Sequence, residues 1–499
     1  MRMVINPQMC FGQVDISQIK LDPKSRDDIP QILKGLQLIY ADIETREAIF
    51  ALLKSEIAPE VSHKNGRPGM ELWKILVLGS LRVNLNLNYD RLQEFANKHD
   101  DIKSMLGHAN NFDKYYYELQ TLKDNVELLT PELLDKINQL VIKCGYKLVK
   151  KKEQEHLHGR VDSFVVETNV HFPTDINLLL DGMRTVIRLS AELCDIRGVS
   201  DWRQSSYNIR CMKKLERAAQ NSKKSKSTRA KTSSDNDKIK STHIEYINAS
   251  QSLLNKAKET LNSLKTSKEL RGQEIKIAQN IETFIAHSNR QIDQINRRVI
   301  LGETIPHAEK VFSLFKPYTE WISKGKAGVP VELGVRVCIM EDQYQFILHH
   351  KVMQKQTDDQ VAVEMVKETK ERFGKMLSSS FDKGFHSPAN QEALKAELEL
   401  VVLPRKGKLS KIAREAEQTE DFKARRRQHS AVESAINALE VHGLDYCPDY
   451  GIERFERYVA LAVLGRNIQL VGVIARNIER KQQKKQKNKA LKKSFKAAA

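Results

Sequence analysis

Val161-Asp162-Ser163-Phe164-Val165-Val166 is the run on which the fold turns. Five of its six residues after the acid or before it are apolar, β-branched, aromatic or small, which predicts a buried strand, and the one carboxylate inside it is costly to bury without a partner. A second strand follows much later at Val331-Glu332-Leu333-Gly334-Val335-Arg336-Val337-Cys338-Ile339, where strict alternation puts Val331, Leu333, Val335, Val337 and Ile339 on one face. Gln345 to His350 reads as its hairpin partner across a link from Met340 to Tyr344. Downstream, the pattern predicts a helix over Asp358 to Lys375, a strand over Met376 to Phe381, a helix over Asn390 to Glu399 and a strand over Leu400 to Leu403. The order is β, helical insertion, β, β, α, β, α, β, α, which is an α/β order with a mixed sheet.

Outward from this core the chain is helical. Residues 1–150 show helical spacing at Ile32, Leu33, Leu36 and Ile39 and at Ile49, Phe50, Leu52 and Leu53. A turn-rich basic loop, Asn65-Gly66-Arg67-Pro68-Gly69, precedes helices predicted over Glu71 to Val83 and from Tyr89. The short polar link Asn84 to Asn88 between them suits a helix-turn-helix, or an ordinary helical hairpin, and Arg67 and Arg82 are candidate DNA contacts. After the first strand the chain returns to helix from Arg184, passes through a Ser/Lys-rich stretch at 221–240 that reads as a flexible loop, and resumes with a stripe at Ile275, Ala278, Ile281, Ile285, Ile292, Ile295 and Val299. Such a stripe is a core seam or a dimer zipper.

The chain has 499 residues, enough for about three domains. Lys and Arg number 82 against 64 acids, a net charge of +18, and the pI is about 9.4, so a polyanionic partner is expected. Residues 476–499 hold ten of those cations and one acid, Glu479, and read as a disordered basic tail that touches phosphates. Mean hydropathy is −0.50, no window approaches the uncharged apolar length of a membrane span, which excludes an integral membrane protein on this reading, and the start lacks the features of a secretory signal. A cytoplasmic, nucleoid-associated protein is expected, with no membrane partner. The six cysteines never form a Cys-x-x-Cys pair and read as reduced packing residues.

Three acids stand out by context: Asp162 in the first strand, Asp382 just after the Met376 to Phe381 strand, and Glu433 on a helix starting near Arg427. A shared hard divalent cation such as Mg2+ would account for all three. Their spacing alone leaves open that they are ordinary surface charges.

A resemblance narrows this choice. Val161-Asp162-Ser163 leading to Glu167 and the His171 to Asp175 segment, then Phe381-Asp382-Lys383-Gly384-Phe385, then His429 to Glu440 with Glu433 at its centre, resemble the DDE transposases of bacterial insertion sequences, in particular the ISNCY-type group. Gly302 to Ser313, Thr319 to Lys326, Leu403 to Lys408 and Arg457 to Asn467 resemble the same group, in order, over about residues 60 to 475. The resemblance implies a mixed α/β chain: a helical N-terminal region (1–150) that recognises DNA ends, an RNase H-like catalytic domain in two parts (155–183 and 329–475), and a large helical insertion (184–328) between them. It implies that Asp162, Asp382 and Glu433 bind two Mg2+ ions, with Mn2+ able to substitute, and that water and then a DNA 3′-hydroxyl attack phosphorus. The implied partners are double-stranded DNA, as terminal inverted repeats and as target, and a second copy of the chain in a paired-end complex. Lys324 and Lys326 beside Trp321, and Lys406 and Lys408, are candidate DNA contacts; Glu167 and Asp175 are candidate supports of the metal site.

The chain departs from the group's pattern around the glutamate, where an Arg four residues before and a Lys or Arg seven after are replaced by His429 and Glu440. Either Arg426 or Arg427 supplies the cation, or the third acid is Glu453 or Glu456. His171, His307, His349 and His350 are expected to be structural. Two other readings stay open: an RNase H-like nuclease without joining activity, and a non-enzymatic DNA-binding protein derived from a transposase.

Overall fold

In a computed structural model of the chain, the first strand, β1, runs from Leu157 to Thr168, extending the expected strand at both ends. The structure describes all residues except 1, 7, 58–68, 110–114, 224–232, 268, 324–330, 408–409 and 499, together with the side chains of 412 and 489–498. The chain forms two compact units: Met1–Asn169 with Lys324–Ala499, and Val170–Ser323. It is mixed α/β and mostly helical.

In the first unit β1 is the centre of a mixed sheet. The other strands are β3 (Val331–Glu341), β4 (Ile347–Met353), β5 (Met376–Phe381), β6 (Leu400–Val402) and the short β7 (Tyr446–Cys447); β2 (Glu320–Ser323) belongs to the second unit. β3 lies antiparallel to β1, with Asp162 opposite Ile339, and β4 lies antiparallel to β3, with Cys338 opposite Lys351. On its other edge β1 runs parallel to β5, with Val161 opposite Phe381, and β5 runs parallel to β6. Farther along that same edge β7 pairs with β1 at Thr168. The β3/β4 turn is fixed by Asp342, fully buried, whose carboxylate accepts from the Tyr344 and Phe346 amides and from the Tyr146 hydroxyl.

Helices cover this sheet for identifiable reasons. Thr357 and Gln360 form a capping box at the start of the Asp358–Phe373 helix, and Pro388 opens Pro388–Glu397 at a position where its missing amide costs nothing. The Glu420–Leu439 helix lies against β1. The C-terminal helix, Ile452–Ala498, packs on Ile29–Ala41, Leu72–Asn84 and Pro131–Val149. The N-terminal helices are therefore packed with the sheet in one unit, so the boundary expected near residue 150 does not divide compact bodies.

Four further expectations change. The Leu72–Asn84 helix is buried on nearly every side, which marks a core helix rather than a DNA-reading one. Arg82 on it is buried, grips both oxygens of Asp449 at 2.9 and 2.6 Å, and lies 4.1 Å over the Tyr89 ring, so it has no reach to DNA. The tail expected to be disordered continues the C-terminal helix, and Arg476 is buried with its guanidinium donating to the carbonyls of Asp22, Pro23 and Ser25. That helix includes a segment, Ile452–Asn488, long and apolar enough to cross a membrane, contrary to the sequence reading, but 83% of its apolar window is buried inside the protein.

The second unit is built on four helices, Asp175–Arg197, Ser205–Lys223, Ser233–Ser267 and Gln273–Ile295. Ala278, Ile281, Ile285, Ile292 and Ile295 pack with Leu179, Met183, Val186 and Ile187, so the stripe is a core seam, while Ile275 is exposed. Because Asp175–Arg197 packs on Gln273–Ile295, this unit begins at Val170 rather than at the expected residue 184. Helices enter the expected 221–240 loop from both sides, as far as Lys223 and from Ser233.

Candidate active site

The site is assembled by two periodicities. Residues two apart on a strand share a face, so His158, Arg160 and Asp162 of β1 lie in a row. Their parallel neighbours on β5 are Ser378 and Ser380, and Asp382 follows at the strand's end. Over this row runs the Glu420–Leu439 helix, whose Arg425, His429 and Glu433 stand one turn apart on one face. The contacts match rung for rung. Arg425 Nη2 lies 3.1 Å from His158 Nε2, and His158 Nδ1 lies 2.8 Å from Ser378 Oγ. One turn on, His429 Nδ1 is 3.0 Å from Ser380 Oγ. The next rung is Asp162, Asp382 and Glu433.

The acids feel each other. Burial pushes the Asp162 carboxyl up to about 6; the Ser163 amide, donating to its Oδ1 at 2.8 Å, opposes the shift, and the charges of Asp382, Asp358 and Glu433 add to it. Asp382 and Glu433 are exposed, and no Lys or Arg makes an ion pair with any of the three among the described residues. β5 stops pairing with β1 at Val161 and β7 begins only at Glu167, so among the described residues no strand pairs with that edge of β1 from Asp162 to Val166, where Phe164, Val165 and Val166 are nonetheless buried.

Asp358 is a fourth carboxylate that sequence reasoning missed. As the first residue of its helix it looks like an ordinary N-terminal acid, yet its Oδ1 accepts from Ser163 Oγ at 2.7 Å, beside Asp162. A Cβ at position 384 would stand 2.7 Å from Asp358 Oδ2, so the turn after Asp382 lies directly against this carboxylate. Lys406, exposed in the loop after β6, donates to the Gly384 carbonyl at 2.9 Å and so ties that loop to the Asp382 turn.

His429 is held below its ordinary value chiefly by burial, with Arg160 and Arg426 adding to this against the pull of Asp382 and Glu433. Its charged form is thus disfavoured, and the residue is a poor source of the cation expected near Glu433. Arg160, on β1 itself, is turned to Glu341 at 3.3 Å, and Arg426 and Arg427 are exposed. Glu440 does not continue the helix face, because the chain enters a π-helical turn there, Glu440–Leu444. Glu456 accepts from Gln354 and is pushed up by burial and by Glu132, away from Asp162; neither it nor Glu453 figures among the charges acting on that carboxyl.

Several expected contributors stand elsewhere. Glu167 is five residues beyond Asp162, about 16 Å along the strand and on its opposite face. Asp175 belongs to the second unit, where it is ion-paired with Arg298 at 2.7 Å. Trp321 packs in an aromatic cluster, 5.5 Å from Phe172 and 5.7 Å from Phe312. Arg67, Lys324, Lys326 and Lys408 lie outside the described residues. His349 lies 3.0 Å from Glu368, His350 is half-buried and pushed down to about 3, chiefly by desolvation, and His171 and His307 sit by Asp181 and Phe312.

Hard divalent cations take oxygen ligands, and the donor chemistry here, four carboxylates without a paired cation, fits one. Among the described residues no three His, Cys, Asp or Glu side chains converge closely enough to hold an ion, so these acids gather within electrostatic reach but not at ligand distance. Compared with protein-family models, with curated proteins and with solved structures, the chain matches none.

Proposed function

We propose that the chain is a metal-dependent DNA strand-transfer enzyme, a transposase of the DDE type acting on the ends of an insertion sequence. The observation that carries this reading is the gathering of Asp162, Asp382 and Glu433, from three separated stretches of sequence, within electrostatic reach of one another beside β1. The strand order β4–β3–β1–β5–β6, antiparallel up to β1 and parallel after it, with a helical unit in the chain between β1 and β3, supports an RNase H-like catalytic domain.

Asp162, Asp382 and Glu433 would hold the cation, with Asp358 behind them. Bound there, it would act as a Lewis acid on the phosphodiester being cut or joined. The chain's own contribution is placement. His429, held on Ser380, would space the helix so that Glu433 faces Asp162 and Asp382. Lys406 holds the turn after Asp382, and the exposed carboxylates Asp382 and Glu433 are the side that a nucleic-acid backbone would approach. Arg425, at the far end of the same row, is placed to meet a neighbouring phosphate.

The test is cleavage and joining of DNA carrying the element's ends in Mg2+ or Mn2+, comparing wild type with Asp162→Asn, Asp382→Asn and Glu433→Gln at matched DNA occupancy. The reading requires joined product from wild type and a loss of at least about a thousandfold in each variant. Cutting without joining would favour a nuclease, and binding without either would favour a non-enzymatic DNA-binding protein.

A further inference from the structure

The net charge of the chain is concentrated in two places. Residues 203–231 contain ten Lys and Arg and one acid, Glu216, and residues 476–499 contain ten and one as well. Those two stretches account for the whole +18, so the other residues carry 62 of each sign. The first stretch includes the Ser205–Lys223 helix of the second unit. On it Arg210, Lys213, Lys214 and Arg217 recur at steps of three and four and are all exposed, while Met212, Glu216 and Ala219 face the core. None of the four side chains makes an ion pair or a hydrogen bond among the described residues, and the only acid of the helix is turned inward, raised by burial. On the adjoining helix Arg184 and Arg188, one turn apart, line a cleft of about 380 Å3 with Ile209 and one acid, Asp181, so the cations outnumber the acid there.

We infer that this face of the Ser205–Lys223 helix is a second docking surface for the phosphate backbone of double-stranded DNA, separate from the C-terminal tail. The inference rests on the DNA-acting function proposed above. Four like charges within two turns repel one another and destabilise a free helix, so a compensating polyanion is the partner that the charge pattern fits. A membrane surface fits less well, because an interfacial helix needs its apolar side free, and here that side is buried in the unit's core.

The test uses the full chain and a 30-base-pair duplex of arbitrary sequence, with affinity measured from low to high salt. Wild type is compared with Arg210→Ala/Lys213→Ala/Lys214→Ala/Arg217→Ala, and with a control of equal charge loss, Lys98→Ala/Lys136→Ala/Lys375→Ala/Lys395→Ala, whose lysines are already ion-paired to Glu94, Glu56, Glu399 and Glu392. The quadruple variant is expected to keep its melting temperature and to lose about 3 to 4 from the slope of log affinity against log salt, with the control losing much less. An unchanged slope, or an equal loss in the control, overturns the inference, as does loss of binding to phosphatidylserine vesicles with duplex binding intact. Wild type failing to bind duplex at any salt would instead sink the proposed function itself.

Discussion

Asp162 carries the largest electrostatic cost in the candidate site. An acid in an apolar strand is expensive, and the structure shows the expense: its carboxyl is pushed up to about 6 by burial and by three neighbouring acids. The folded state therefore holds the proton more tightly than the unfolded chain, so stability falls as pH rises from about 4 to about 6 and stays lower above that. Two units correspond to roughly 3 kcal/mol. In EDTA, Asp162→Asn is expected to be more stable than wild type by up to that amount at pH 7.5, with most of the gain gone at pH 4, measured by denaturant unfolding. Equal stabilities at pH 7.5 would mean that the carboxylate is not under this pressure. At this scale the sequence displayed Asp162 because an acid stands out inside an apolar strand and Asp382 because it follows one, while Glu433, on a helix, was singled out chiefly by the resemblance. The sequence hid Asp358, whose position in a helix's first turn is where acids are ordinary, and it misplaced Glu167 and Asp175, since nearness in sequence says nothing of which face or which unit a side chain joins.

Among elements, the strands were legible because alternation survives in a half-buried sheet: β3 and β5 fall where the pattern put them. Helix roles were less so. Apolar spacing announces a helix but not whether its remaining face meets DNA or protein, and only the packing shows Leu72–Asn84 to be core. The long C-terminal helix is a buried strut for a similar reason. Its closest crossing, with Ile29–Ala41, is made by glycines: a Cβ at Gly472 would stand 2.0 Å from the Gln31 carbonyl oxygen, and one at Gly35 1.9 Å from that of Ile468. Both obstacles are backbone, so the helices themselves must part. Gly472→Ala is expected to cost about 3 kcal/mol, seen as a lower denaturation midpoint; a neutral result would show that the two helices do not cross so tightly. At the same helix Asn467 accepts from the Ile347 amide and donates to its carbonyl, completing the edge of β4.

For the whole molecule the charge balance was readable from composition, but its division was not. Arg476 and Arg480 anchor the start of the basic tail by donating to the 22–25 loop, so they belong to the fold. The eight lysines from 481 onward are another matter. Deleting 481–499 is expected to leave thermal stability unchanged and to reduce the salt dependence of duplex binding, by at most about 7 in slope. A large fall in melting temperature would place those residues in the structural frame instead. Chain continuity also concealed where the second unit begins, because the segment from Val170 to Arg184 looks like the exit of a strand until its helix packs on Gln273–Ile295.

The central claim is that Asp162, Asp382 and Glu433 serve one divalent metal site. Replacing each in turn by cysteine exchanges a hard oxygen ligand for a soft sulfur one, which disfavours Mg2+ and is better tolerated by Mn2+. The decisive measurement is DNA-end cleavage by Asp162→Cys, Asp382→Cys and Glu433→Cys in Mg2+ and in Mn2+, with Glu453→Cys as a control. The account predicts that the first three are inactive in Mg2+ and regain activity in Mn2+, while the control behaves as wild type. Cysteine variants as active in Mg2+ as wild type would contradict it.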